Sequence, residues 1–408
     1  MLLSIFLSAS GVMLKLISGL AVNKIIALNI GVVGFGYWGN ILSLTMLYSA
    51  FANGGISQGL ISRLADPNQD DARRAAWLRA GLVYVVVFPV LIAMAHGVIN
   101  GTELVEGSAY LGSVSVYLFA LAYAISLHIQ STALAAGHSR LNAVILMLGG
   151  LISLGMMALL IRKDSLSSVV MALVASAGLL CLCWIIGARW RGIRYIVSAQ
   201  PGLKASVRSL APYVGIAIAP AVIGTSSIIL VRHIMLSDAG ASASGLWQGL
   251  FRISDAVMAV AQAGVGFVMM PAIFRTDAPR SALLGQMRRY LLAVSGAAVA
   301  GLLVIQYFGH QVVLLLYSPE FTPLADVLWI QFLGDILKIA AMPLVIYFIY
   351  TRRLGVSWLL ELLFSSSFVL LTWLLAARHD VAGAAVGYLV ANAVLLGSAW
   401  LLFLWKQQ

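Results

Sequence analysis

Charge is what this 408-residue sequence has least of: Asp, Glu, Lys and Arg make up 10% of it, against about a quarter in an ordinary soluble domain. Hydrophobic residues make up 62%, and a chain so composed cannot cover itself in water. That excludes a soluble globular protein. Cysteine is almost absent too, and Cys181 and Cys183 sit in one apolar run, so no disulfide framework is expected. No Walker-type Gly-rich phosphate loop occurs, which excludes ATP hydrolysis by this chain. No His, Cys or carboxylate group has metal-ligand spacing, so no metal and no other cofactor is expected. Long polar stretches are missing as well. The longest loop expected on the outer side has about 14 residues, too few for a catalytic domain, so an enzyme is not expected. The first 14 residues carry no Lys or Arg and no small-residue cleavage site follows, so the start of the chain reads as a retained span.

What is present is a succession of apolar runs. Each spanning helix needs about 20 apolar residues, and a chain of this length accommodates about twelve. Runs bounded by charges or by Gly, Pro and Asn place them near 3–27, 36–62, 77–99, 109–136, 141–161, 167–188, 208–231, 245–274, 284–307, 322–350, 355–377 and 381–405. The expected fold class is an all-α polytopic membrane protein. Its net charge of +11 is topological, not a nucleic-acid surface. Sorted by loop, Arg63, Arg73, Arg74, Arg140, Arg189, Arg191, Arg194, Lys204, Arg275, Arg280, Arg352, Arg353 and Lys406 fall on one side. Arg162, Lys163, Arg232 and Arg378, with Glu103, Glu106, Asp238 and Glu320, fall on the other. Retention of Lys and Arg in the cytoplasm then puts both termini inside.

The most basic loop, 189–207, separates two sets of six spans. The expected domains are a six-helix lobe at 1–188, a basic cytoplasmic linker at 189–207 and a second six-helix lobe at 208–408. The lobes echo each other: Gly36-Tyr37-Trp38 matches Gly245-Leu246-Trp247, and Ser18, Lys24 and Leu28 match Ser226, Arg232 and Leu236. Odd spans match odd spans, as in a parallel repeat about an axis along the membrane normal.

An ionised side chain near a span centre costs about 3 kcal/mol on insertion scales, so each one asks for water, a partner or a function. Lys15 lies roughly 18 Å into the first span at about 1.5 Å per residue. Arg252 and Asp255 in the eighth span, and Asp335 and Lys338 in the tenth, are three residues apart and share a face. Lys15, Lys24 and Arg232 have no acidic neighbour within a turn, so the interior balance is positive. A cationic wet cavity of this kind suits phosphate or pyrophosphate. Lys24 and Arg232 also lie near the outer span ends, where long stems snorkel to the headgroups. Asp255, Asp335 and Glu361 read either as charge balance or as proton-coupling groups. Asn53 and Gln262 hold matching positions in the repeat and suit sugar hydroxyls or helix contacts equally. His128 reads as a packing residue, and Pro212 and Pro220 should bend the seventh span.

Gly245-Leu246-Trp247-Gln248-Gly249 running on to Ile253-Ser254-Asp255, and Gln331 with Gly334-Asp335-Ile336-Leu337-Lys338, resemble the Wzx-type flippases, especially those for the lipid-linked enterobacterial common antigen repeat. Lys15, Lys24, Gly55-Ile56, Gly59, Phe321-Thr322 and Glu361 match in order, and the likeness covers almost the whole chain. Arg252 departs from the small polar residue usual there, which leaves the identity of the sugar repeat open between common antigen, O-antigen and exopolysaccharide units. The resemblance implies the multidrug, oligosaccharidyl-lipid and polysaccharide exporter fold, two six-helix lobes around a central cationic cavity. It implies an undecaprenyl-pyrophosphate-linked oligosaccharide moved from the cytoplasmic to the periplasmic leaflet of a Gram-negative inner membrane, by alternating access coupled to protons or another cation. Lys15, Lys24, Arg252 and Lys338 would then attract the pyrophosphate or an acidic sugar, with Asn53, Trp247, Gln248 and Gln262 as polar cavity groups. Membrane lipids surround such a protein, and a polysaccharide polymerase and a chain-length regulator are the partners its role would call for. Two alternatives remain: a multidrug or peptidoglycan-precursor exporter of the same superfamily, and a membrane polysaccharide polymerase or ligase.

Overall fold

A computed structural model describes residues 2–65, 70–100, 112–191, 203–268, 280–351 and 353–405. Glu103, Glu106, Arg194, Arg275, Arg352, Lys406 and residues 192–202 of the expected linker lie outside these. The described residues are helical, without strands. That follows from composition, since in hydrocarbon a helix satisfies its own backbone. In chain order the helices are α1 (Leu2–Phe51), α2 (Ser57–Leu64), α3 (Asp71–Asn100), α4 (Ser113–Ala135), α5 (Ser139–Leu160), α6 (Leu166–Trp190) and α7 (Leu203–Ile234), which runs into a π-helical turn at Met235–Ala239. There follow α8 (Ala241–Val268), α9 (Arg280–Leu316), a 3-10 turn at Pro319–Phe321, α10 (Leu324–Tyr350) and α11 (Leu354–Trp405). Among the described residues nine helices are long and apolar enough to cross a membrane. The chain is a multi-pass membrane protein.

Two of the nine are double-length, and each holds two of the expected spans. α1 is kinked at Gly31 (φ 65°, ψ −175°) and α11 at Asp380 (φ 45°, ψ −127°). In α11 the second half returns along the first. A Cβ on Gly383 would stand 2.6 Å from the carbonyl oxygen of Leu375, and one on Gly387 would stand 3.2 Å from the nitrogen of Thr372. Small residues four apart give this close helix approach. In α1 the kink interrupts the hydrogen-bond ladder, and both freed groups find partners. The carbonyl of Asn29 accepts from the Asp164 N–H at 3.0 Å. The N–H of Val32 donates to the Glu320 carboxylate at 3.1 Å. Gly31 itself occupies the left-handed region, where a Cβ is disfavoured.

The second expected span, 36–62, is not continuous. It breaks at a turn over residues 52–56, where Gly54 and Gly55 have φ of 66° and 68°, and it resumes as α2. Side chains fill the break: a Cβ on Gly54 would come within 2.8 Å of the Phe88 ring, and Asn53 donates across it to Ser57 Oγ at 3.0 Å.

Packing divides the chain into two compact units, Met1–Asn29 with Asn40–Thr225 and Ile30–Gly39 with Ser226–Gln408. The first is held by several apolar clusters. One joins Ile129 and Ala133 of α4, Ile145 of α5 and Trp184 of α6. Another sets Ile56, Ala80 and Tyr84 against Leu210, with the Tyr84 hydroxyl donating to the carbonyl of Val207 at 3.0 Å. The start of α7 thereby packs with the first unit, while residues 30–39, from the middle of α1, are built into the second.

Candidate functional site

The second unit contains a charged interior assembled from α7, α8, α10 and α11. Its deepest cation is Arg232, near the end of α7, only 1% exposed. Its guanidinium carbon lies 5.0 Å from the Trp247 ring centroid and 5.9 Å from that of Phe251. Those rings sit four residues apart on α8 and stack with centroids 5.3 Å apart, so one helix face offers the guanidinium a continuous π surface. The cluster closes against α1 at Gly39. A Cβ there would run into Arg232 Nη1 and into the Gln248 side chain. Glycine at 39 is thus a space requirement set by the arginine. The first turn of α8 meets the same stretch of α1 through backbone: a Cβ on Gly245 would strike the carbonyl of Val32, and one on Gly36 would stand 3.0 Å from the nitrogen of Gly245. The two glycines that open the matching Gly-x-Trp motifs therefore pack on each other.

One turn further along α8, Arg252 Nη1 meets Asp255 Oδ2 at 2.7 Å, the pairing expected from three-residue spacing. Asp255 acts electrostatically on both Arg232 and Asp335. Between them Ser254 accepts from Gln331 Nε2 of α10 at 2.8 Å. Several polar atoms here have no hydrogen-bond partner among the described residues: Trp247 Nε1, both ends of the Gln248 amide, and Nε and Nη2 of Arg252. Trp247 and Gln248 are fully buried. Buried polar groups are normally satisfied, so these atoms have hydrogen-bonding capacity that a bound molecule could use.

The other expected pair behaves differently. Asp335 and Lys338 share a face of α10, yet among the described residues they form no ion contact. Asp335, 1% exposed, accepts the Tyr388 hydroxyl at 2.9 Å. Lys338 rests over the rings of Phe364 and Tyr388. Glu361 on α11 lies within electrostatic reach of Lys338. Gln262 of α8 is exposed.

Lys15, Lys24 and Asn53 belong to the first unit. Lys15 is exposed on α1 and Lys24 half-buried. The helix carrying Lys15 is pressed close to α5, since a Cβ on Gly150 would stand 3.2 Å from the Lys15 Cα. Asn53 is buried in the α1–α2 break. Residue patterns alone undervalue Arg232 and Tyr388. Arg232 reads as a snorkelling cation near a span end, and only its match to Lys24 in the repeat, together with the Trp and Phe on one face of α8, signals an interior position. Tyr388 carries no sequence signal beyond being an aromatic in an apolar run.

No protein-family model matches the chain. Over 416 aligned residues, covering 98% of this chain and 98% of each relative, it is 24% identical to the lipid III flippases of Escherichia coli (strain K12) and Shigella flexneri. Among solved structures, a multidrug resistance MATE family transporter of the MOP superfamily in an inward-facing conformation superposes with a TM-score of 0.75 at 14% identity, over 99% of this chain and 97% of that one. The lipid II flippase MurJ in an inward closed conformation superposes with a TM-score of 0.67 at 9% identity, over 99% and 87%. The chain shares the fold of these MATE and MurJ structures.

Proposed function

We propose that the protein is a flippase that moves an undecaprenyl-pyrophosphate-linked oligosaccharide from the cytoplasmic to the periplasmic leaflet of a bacterial inner membrane, for surface polysaccharide synthesis. The observation that carries this reading is Arg232, buried on the Trp247–Phe251 face with Arg252 within electrostatic reach, beside the unpartnered Gln248 amide. Guanidinium groups recognise phosphate oxygens bidentately. Aromatic faces and amides are what sugar rings and hydroxyls require. Likeness to lipid III flippases over the full chain length supports the same substrate class. A cation-drug exporter needs an acidic interior, and here two arginines face one aspartate. Among the proteins it resembles by name are flippases and transporters, which supports transport over polymerase or ligase chemistry.

In this reading Arg232 and Arg252 of the second unit, with Lys15 and Lys24 of the first, attract the pyrophosphate or an acidic sugar. Asn53, Trp247, Gln248 and Gln262 contact the glycan, and Asp255, Asp335 and Glu361 balance charge or carry the coupling ion. The lobes at 1–188 and 208–408 would move by alternating access, both termini would be cytoplasmic, and a polymerase and chain-length regulator would take the product. The test is reconstitution in proteoliposomes with purified lipid-linked oligosaccharide, following exposure of the glycan to a lectin added outside. Time-dependent redistribution without chain lengthening is expected, reduced at least tenfold by Lys15→Ala. Equal redistribution in protein-free vesicles, or chain lengthening, would overturn the reading.

A further inference from the structure

The interior of the second unit holds a buried carboxylate, Asp335 of α10, against a shell of rings, and α11 carries a second, half-buried one, Glu361. Phe364, Phe368 and Tyr388 pack on one another with centroids 5.5 to 6.2 Å apart. Gly334 lets the Tyr388 ring come against the α10 backbone, since a Cβ there would stand 2.6 Å from the ring. The Tyr388 hydroxyl is fixed on Asp335 at 2.9 Å, and its carbonyl accepts the Asn392 amide at 2.9 Å. Into this shell reaches one ammonium. Lys338 Nζ lies 4.8 Å from the Phe364 centroid and 5.8 Å from that of Tyr388, and it acts on both Asp335 and Glu361.

Two aromatic faces against the nitrogen, with two carboxylates within electrostatic reach, make a receptor for a primary ammonium. We propose that Lys338 is the resident cation of this box. Its tethered ammonium holds the place that a free monovalent cation would otherwise take between Asp335 and Glu361, so substrate movement by this chain needs no sodium. Sodium binds through oxygens and is strongly hydrated, whereas ring faces make up much of this shell. A second positive charge beside Lys338 would be repelled. Lys338 is accordingly a positioning residue that fixes the charge of the box, and the anionic substrate is left to Arg232 and Arg252 with Lys15 and Lys24. The statement about sodium rests on the flippase reading; the ammonium box does not.

The decisive experiment uses the purified full-length chain and reads thermal unfolding, which is independent of transport. Lys338→Ala should lower the midpoint, and propylammonium at tens of millimolar should restore at least half of the loss. Sodium or tetramethylammonium at equal ionic strength should restore none, because sodium keeps its water shell away from ring faces and tetramethylammonium is bulkier than the ammonium it would replace. Wild type should not respond, and the Lys338→Ala/Asp335→Asn double variant should lose the response. If the Ala variant fails to survive extraction in sodium, extraction in propylammonium should yield folded protein. Rescue in none of the three media, or equal rescue in all, overturns the assignment. In proteoliposomes, wild-type redistribution should proceed within twofold of the same rate when choline replaces sodium. Strict sodium dependence overturns the sodium statement. Absence of any redistribution by wild type overturns the flippase reading and leaves the unfolding result standing.

Discussion

At the scale of single residues, Arg232 separates structure from function. A fully buried guanidinium removed to Ala leaves a cavity against the Trp247 and Phe251 rings, a change of the kind that costs about 2–5 kcal/mol. Replacement by an apolar side chain of similar length is often nearly neutral, because desolvation of the ion disappears together with its contacts. Arg232→Met is therefore expected to melt within about 1 kcal/mol of wild type while substrate redistribution falls at least tenfold. Thermal unfolding and the vesicle assay on the same preparation decide this. A Met variant that melts far below wild type would make Arg232 a structural ion only. The sequence made Arg252 and Asp255 legible as a pair, because spacing of three on a helix is enough to bring side chains together and the structure joins them at 2.7 Å. The same spacing misleads for Asp335 and Lys338. There a tyrosine hydroxyl from α11 and two ring faces compete successfully, and they come from residues more than twenty positions away in sequence.

At the scale of helices, the informative places are the interruptions. Gly31 and Asp380 fall in or beside the short gaps between expected spans, so the positions of the kinks were readable from residues that end apolar runs. The turn at 52–56 was not, because Asn53-Gly54-Gly55 lies inside an otherwise apolar stretch and glycine is common in membrane helices. Its identity as a break depends on Tyr84 and Phe88, which belong to another helix. The restarted half of α1 also gains an anion at its first turn, where Glu320 accepts the Val32 N–H. A carboxylate in that position satisfies an orphan donor and opposes the positive end of the helix dipole. Glu320→Gln retains the acceptor and removes the charge. It is expected to lower stability by about 0.5–1 kcal/mol, and Glu320→Ala by about 1–2 kcal/mol, with the larger effect confined to amide exchange at the start of that segment. An unchanged exchange rate at Val32 in the Ala variant would show that the contact does not hold the helix end.

At the scale of the whole molecule, charge asymmetry and apolar periodicity were enough to expect a polytopic helical protein, and the fold agrees with that. The membership of its packing units was not readable, because hydrophobic pattern says that a helix is buried but not against which neighbour. Residues 30–39 belong by sequence to the first set of spans and by packing to the second unit. Their glycines at 36 and 39 accommodate Gly245, Arg232 and Gln248, and Phe35 meets the rings of Tyr317 and Phe321 edge-on at 5.7 and 5.4 Å. Fragments 1–200 and 201–408 should therefore fail to give a protease-resistant second unit when the latter is made alone, and should regain it when the two are produced together. Limited proteolysis of membranes from each strain measures this, and a resistant C-terminal fragment made alone would contradict the packing.

The same arrangement has a consequence for synthesis. The ten-residue piece around Gly36 leaves the ribosome among the first forty residues, whereas Arg232, Gly245 and Glu320 follow some two hundred residues or more later. During that interval, roughly ten seconds or longer at bacterial elongation rates of about 5–20 residues per second, Val32 lacks its carboxylate and Gly39 faces no guanidinium. The first part of the second span is an unfinished surface until the far half of the chain arrives. Its run of small residues, Gly31, Gly34, Gly36 and Gly39, is the kind of surface on which another helix packs closely, so the delay leaves open a contact that only the late-arriving Gly245, Arg232 and Gln248 close.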